Sequence, residues 1–250
     1  MSEKSFPDDV HLLQLQRDLW QAPDSRAVVM VGAGFSSNAQ RLPQASRDMP
    51  LWSDLVFSMY QQLHPTFDEK DLRQSFKGEN LLTVASEFEA SFGRGKLETE
   101  IKLQILDSHY APSELHRSLM QLPWKDVFTT NYDTLLENTA VDGIAYQTVK
   151  NSRDLTSAIG RRIVKLHGSV DIGENYIITE EDFRRYPDDN APFVNTVRQS
   201  LIENTFVLLG FSGEDPNFLS WIGWIRDQLG SKHCSIYLVG ASNLLSLIHI

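Results

Sequence analysis

Ala27-Val28-Val29-Met30-Val31-Gly32-Ala33-Gly34-Phe35-Ser36 is the stretch on which the fold turns. Five apolar residues with no polar alternation read as a strand buried on both faces. Gly32-x-Gly34 directly behind it reads as a tight turn into a helix, whose N-terminal N–H groups suit a pyrophosphate. Working outward, the same grammar recurs. Residues 124–129 read as a strand followed by Thr130-Asn131-Tyr132-Asp133 and a helix through Leu135-Leu136. Residues 162–166 read as a strand followed by His167-Gly168-Ser169, and 206–209 as a strand followed by Gly210-Phe211-Ser212-Gly213. A last strand is expected over 235–239.

Between these strands the spacing predicts helices over 8–21, 51–63, 79–109 (broken near 92–95), 192–203 and 216–229. Residues 176–178 read as a short extended piece, and Thr179-Glu180-Glu181-Asp182 as a capping box opening a further helix. Alternating strands and helices predict an α/β fold, a Rossmann-like parallel sheet covered on both faces. Residues 41–122 are too long for one crossover and read as an α-helical insertion after the first strand. A single domain over 1–250 is expected. Residues 242–250 follow the last strand without a closing helix, which suits the N-terminal fragment of a longer protein.

In an α/β sheet, residues just past the strand ends share one edge, where ligands bind. The clusters at 32–36, 130–133, 167–169 and 210–213 would therefore face one crevice. Each also has a plainer reading. Gly32 and Gly34 suit any tight strand–helix turn, and Ser36 suits a helix cap. Asn131 or Asp133 could simply cap the next helix. His167 could be a hydrogen-bonded structural histidine, although its place at a strand end beside Gly168 favours a general base. Asp215 before Pro216 reads as an N-cap with proline at the first helical position. Gly210 and Ser212 read as a ligand wall. Trp221 and Trp224 read as a core-facing stripe.

Composition sets the outer bounds. With 23 Lys and Arg against 33 Asp and Glu, the net charge of −10 and the lack of a basic run argue against nucleic-acid binding. One cysteine, Cys234, excludes an intramolecular disulfide and any multi-cysteine metal site. It sits beside an apolar run and reads as a buried thiol. No His-x-x-x-His or Glu-x-x-His spacing occurs, so no metal is expected. The N-terminus lacks an apolar signal core and no stretch has the length of a membrane span, so no membrane contact and a cytoplasmic location are expected.

Gly-Ala-Gly-x-Ser at 32–36, Thr-x-Asn-x-Asp across 129–133, Lys-Leu-His-Gly-Ser at 165–169 and Gly-x-Ser at 210–212, in this order, resemble the sirtuin (SIR2) superfamily over residues 26–240. The resemblance implies that Gly32, Ala33, Gly34, Phe35 and Ser36 bind NAD pyrophosphate and that Asp133 holds the nicotinamide carboxamide. It implies that Asn131 and His167 serve the reaction at the nicotinamide ribose. The chain departs from protein-deacylating sirtuins, which carry a four-cysteine zinc module and a Gly-Ile-Pro-Asp-Phe-Arg run. Here the loop continues Asn38-Ala39-Gln40-Arg41-Leu42-Pro43. Met49-Pro50-Leu51-Trp52-Ser53-Asp54-Leu55 instead resembles the bacterial SIR2-like group, whose characterised members are mostly NAD-hydrolysing effectors of anti-phage defence. That group's precedent implies a sensor domain or partner protein and leaves room for a homo-oligomer. Three functions are carried forward: an NAD glycohydrolase releasing nicotinamide and ADP-ribose, an NAD-dependent protein deacylase, and an NAD- or ADP-ribose-binding sensor without turnover.

Overall fold

The computed structural model of the chain describes residues 8–139, 143–213, 215–230 and 233–239. The ending at 242–250 lies outside them. Helix α1 (Asp9–Leu19) leads into β1 (Ala27–Val31), all five of whose residues are buried. After β1 comes α2 (Ala33–Ser36), a single turn where the sequence predicts the opening of a helix. The insertion follows. A short pair of strands, β2 (Gln40–Arg41) and β3 (Tyr110–Ala111), brackets α3 (Trp52–Leu63), α4 (Glu69–Phe76), α5 (Leu81–Phe92) and α6 (Arg94–Ile105). Gly93, at φ +82°, breaks α5 from α6 where the sequence places the break. Helix α7 (Glu114–Met120) then returns the chain to the sheet.

The remaining elements are β4 (Asp126–Thr129), β5 (Gln147–Val149), β6 (Arg162–Lys165), α8 (Glu180–Asp189), α9 (Ala191–Glu203), β7 (Thr205–Leu209), α10 (Pro216–Leu229) and β8 (Ile236–Val239). Six parallel strands form one sheet in the order β5-β6-β4-β1-β7-β8. β1 is central, and the chain runs out to β4, β6 and β5 on one side and to β7 and β8 on the other. The C-terminal end of β1 is thus the topological switch point, where α/β folds place ligands.

Alternation along β1 explains the two layers. Val28 and Met30 point into a core shared with Tyr186, Phe193, Val197 and Trp221 from α8, α9 and α10. Ala27, Val29 and Val31 point the other way, against Leu19 of α1 and Leu119 and Met120 of α7. The last helix of the region predicted as an insertion therefore covers the sheet, while α3, α5 and α6 build a separate core. That core includes Tyr132, Leu135, Tyr176 and Ile178, so the insertion packs on the segments that leave the strand ends.

Two local expectations fail. No helix forms through Leu135 and Leu136, because side chains compete for the backbone there. Asp133 Oδ1 accepts from Leu135 N at 3.1 Å, and Asp107 takes both Thr134 N and Thr134 Oγ1, at 2.8 and 2.6 Å. A single turn results, closed by Asn138 N on Thr134 O at 2.9 Å. Cys234 is half-buried, not buried, and its thiol donates to Ile202 O at 3.2 Å.

Candidate active site

Parallel register lines up the strand ends. Val31 pairs with Thr129 on one side and Leu209 on the other, and Thr129 pairs with Lys165. Asn131 and His167 each lie two residues beyond that last pair, on neighbouring strands, and Leu166 N extends the ladder to Thr129 O at 2.9 Å.

The glycine loop owes its residue types to a backbone, not to a phosphate. Gly32 N donates to Leu209 O at 3.1 Å and Gly34 N to Gly210 O at 3.0 Å. A Cβ on Gly32 would stand 2.6 Å from Gly210 O, and one on Gly34 would stand 2.9 Å from it. Gly210 itself has φ +59° and lies against Gly34 and Phe35. Gly210 is thus the brace of the loop. Phe35 turns its ring into the sheet core and onto the imidazole of His116, centroids 4.8 Å apart, which leaves only its backbone for a ligand. Ala33 is half-buried and Gly34 exposed, as is Ser212 at the rim beyond Gly210.

Ser36 joins the first two clusters. Its hydroxyl donates to Asp133 Oδ2 at 2.8 Å and accepts from Asn131 Nδ2, also at 2.8 Å. The Ser36 hydroxyl therefore fixes which way both the amide and the carboxylate face. Asn131 N is held in turn by Thr129 Oγ1 at 3.0 Å. Ser36→Ala should release both side chains while leaving the apolar core untouched, and weaker binding of any ligand that needs them, together with a lower melting temperature from the unpartnered Asp133 carboxylate, is the expected result.

His167 makes different contacts. Its Nε2 lies 3.3 Å from the carboxamide of Asn217 and 3.7 Å from Asp215 Oδ2, while the rings of Phe183 and Tyr186 stand edge-on at 5.3 and 5.7 Å. Burial pushes the imidazole pKa below its ordinary value, against the upward pull of Asp215 and Asp182, so the ring is neutral at neutral pH. Asp215 caps α10 as the sequence predicts, accepting from Phe218 N at 2.9 Å, and uses its other oxygen on the histidine. Hydrogen bonds thus join Ser36, Asn131 and Asp133 in one group and His167 with Asn217 in another, with Asp215 3.7 Å from the imidazole.

Four of these side chains are closed off from solvent: Ser36, Asn131, Asp133 and His167 are 3%, 8%, 6% and 4% exposed. A polar cleft of about 830 Å³ opens beside Leu166 and Gly168, lined among others by Lys150, Arg153, Asn175 and Arg185. Gly168 has φ +98° and lies against the Tyr176 backbone. Arg94 of the insertion ties this segment down. It pairs with Asp182 at 2.9 Å and donates to the Tyr176 carbonyl. No cluster of metal-ligating side chains occurs among the described residues.

A profile of the SIR2-like domain matches residues 125–245, from β4 to the end of the sheet. These residues are a SIR2-like domain. Relatives extend the likeness back through the glycine loop. The NAD(+) hydrolase ThsA of Enterococcus faecium is 34% identical over 171 residues, 64% of this chain and 36% of that protein. The ThsA of Acinetobacter baumannii (strain 532279) is 28% identical over 237 residues, 90% of this chain and 45% of its own length. Defense-associated sirtuin 2 of Bacillus subtilis is 23% identical over 222 residues, 86% of this chain and 21% of its own length. The chain therefore spans less than half the length of these relatives.

Two polar residues around the candidate site escape a reading of the sequence. Asn217 sits in the second position of a helix where Asp215-Pro216 already explains the local pattern, so nothing marks it. His116 is fully buried behind Phe35, its Nδ1 2.9 Å from Ser113 Oγ, within electrostatic range of Asp133. Its neighbourhood exists only once α7 returns to the sheet.

Proposed function

We propose that this SIR2-like domain hydrolyses NAD at the nicotinamide–ribose bond, as part of a longer defence protein. The relatives named NAD(+) hydrolase support the activity, and the defence-associated relative supports the setting. The observation that carries the assignment to residues is the hydrogen-bonded Ser36–Asn131–Asp133 trio past the end of β4, with buried His167 at the equivalent position past the neighbouring strand β6.

In this reading the glycine loop, residues 32–36, and the wall at Gly210 and Ser212 hold the pyrophosphate and its ribose. Asp133 accepts from the carboxamide of nicotinamide. The bond from ribose C1′ to nicotinamide N1 breaks with its electron pair staying on N1, which turns the pyridinium into neutral nicotinamide. The sugar passes through an oxocarbenium-like state. Asn131 orients a water whose oxygen bonds to C1′, and its proton passes to His167 and then to solvent. Positioning supplies much of the rate, because the leaving group is already cationic and needs no acid. With the four side chains buried, the segments over them must open for the dinucleotide to enter.

The parts of the relatives beyond this span are where a sensor module or partner would act, and we place the protein in the cytoplasm, beside the NAD pool. Among the described residues, no helix is long and apolar enough to cross a membrane. The deciding experiment incubates the protein with NAD and separates the products by chromatography. Equal amounts of nicotinamide and ADP-ribose are expected. Ligand-induced thermal stabilisation without nicotinamide release would instead assign a sensor.

A pH profile adds an independent check. His167 works as a base only when neutral, so activity falls as pH drops through its pKa, which burial sets below the ordinary 6.5. The acid limb of kcat should therefore lie below pH 6.5. The stability sign is the same: the unfolded chain takes up this proton more readily, so folding stability contributed by neutral His167 is present above pH 6.5 and is lost below it.

A further inference from the structure

His167 has a neighbour that the hydrolysis above leaves unused. Asn217 is 5% exposed and lies in the first turn of α10, with its carboxamide placed so that Nδ2 is 3.3 Å from His167 Nε2. Asp215, the N-cap of the same helix, approaches the same nitrogen to 3.7 Å. The remaining walls come from α8. Phe183 offers no hydrogen bond, and the Tyr186 hydroxyl is spent on Leu166 O at 3.0 Å. Asp182, the other acid that acts on the ring, is paired with Arg94. Without Asn217, then, nothing named on these walls would distinguish one ring orientation from its flip.

The carboxylate decides which tautomer this geometry favours. A lone pair on Nε2 aimed at Asp215 would be repelled, whereas an N–H there is attracted. The two ends of a carboxamide have the same shape and their assignment follows the hydrogen-bond network, so an N–H at Nε2 requires the Asn217 amide turned over from its placement here, with Oδ1 in the position of Nδ2. We propose that Asn217 is a positioning residue that, backed by Asp215, fixes His167 in the Nε2–H tautomer and leaves the Nδ1 lone pair as the proton acceptor. The role in catalysis rests on His167 being the base in NAD hydrolysis; the tautomer does not.

Two-bond proton–nitrogen correlation spectra of the protein labelled with ¹⁵N-histidine read the tautomer directly, with the His167 signals identified by their absence in His167→Ala. Wild type is expected to show Nε2 as the protonated nitrogen, and Asn217→Leu to show a mixture or the opposite form. A wild-type ring protonated on Nδ1, or a spectrum unmoved in Asn217→Leu, would overturn the proposal whether or not NAD is consumed. An intact Nε2–H signature in a protein that releases no nicotinamide would sink only the hydrolysis reading.

In the active protein, Asn217→Leu should lower kcat by about 10–100-fold with KM little changed, the pattern of a lost orienting partner. Asn217→Asp keeps an acceptor oxygen at Nε2. It should retain most of kcat and move the acid limb upward, because a second carboxylate then faces the ring. Equal losses in both variants with an unmoved acid limb would mark Asn217 as merely structural and overturn the proposal.

Discussion

His167→Ala should bring NAD consumption down by at least about 10²-fold, the range in which a general base contributes to rate. The fold should survive. The imidazole is enclosed by Phe183, Tyr186 and Asn217 rather than carrying the main sheet core, so truncation leaves a small polar hole. Asn131→Ala should be equally inactive for a different reason. It leaves the acceptor side of the Ser36 hydroxyl empty and lets the attacking water drift, while Thr129 Oγ1 still holds the backbone at 131. On the proposed mechanism the two residues act on one water, so the double variant should lose no more than the worse single variant, as for groups that work as a unit. Nicotinamide release measured by chromatography, alongside melting temperatures, checks all three proteins. Turnover persisting in both single variants would dismiss the assignment of these two side chains.

The central strands were legible because burial leaves an unbroken apolar run, as in Ala27–Val31 and in Phe206–Leu209 of β7. Edge strand β5, Gln147-Thr148-Val149, has only its last residue buried and carries no such signal. Strands β2 and β3 are two residues each and exist only as a pairing between distant segments. Helix α4 was missed because its single buried residue, Leu72, gives no apolar period to read. The turn after Asp133 defeated its local pattern because a distant acid, Asp107, takes the backbone and hydroxyl of Thr134.

The candidate site divides in the same way. Its residue types and their order along the chain could be read directly. The reason for each glycine could not, since Gly32 and Gly34 answer to Gly210 more than 170 residues later. Likewise, Ser36 looked like one more small residue of a phosphate loop. Only the register of β1 on β4 brings its hydroxyl between Asn131 and Asp133.

Gly210→Ala should be among the most damaging single substitutions in the protein. At φ +59° an alanine pays roughly 1–2 kcal/mol in the left-handed region even with open space around it. Here the space is taken: the new Cβ would overlap the amide nitrogen of Phe35 and stand 2.8 Å from its Cα. These are backbone atoms, which cannot swing aside as a side-chain tip does, so the loop at 32–36 must shift and give up the bond from Gly34 N to Gly210 O. Overpacking of this kind costs about another 1–3 kcal/mol. For a chain of this size each kcal/mol lowers the melting temperature by about 2–4 °C, so a drop on the order of 10 °C is expected. Gly95→Ala is the contrast, because nothing lies within 4 Å of its new methyl in α6 and its φ is ordinary. That variant should melt at or slightly above wild type, as a glycine replaced within a helix does. If Gly210→Ala melts alongside Gly95→Ala, the loop after β1 is not braced by β7. If it melts early but the surviving folded fraction still turns over NAD at the wild-type rate, the loop at 32–36 does not hold the pyrophosphate.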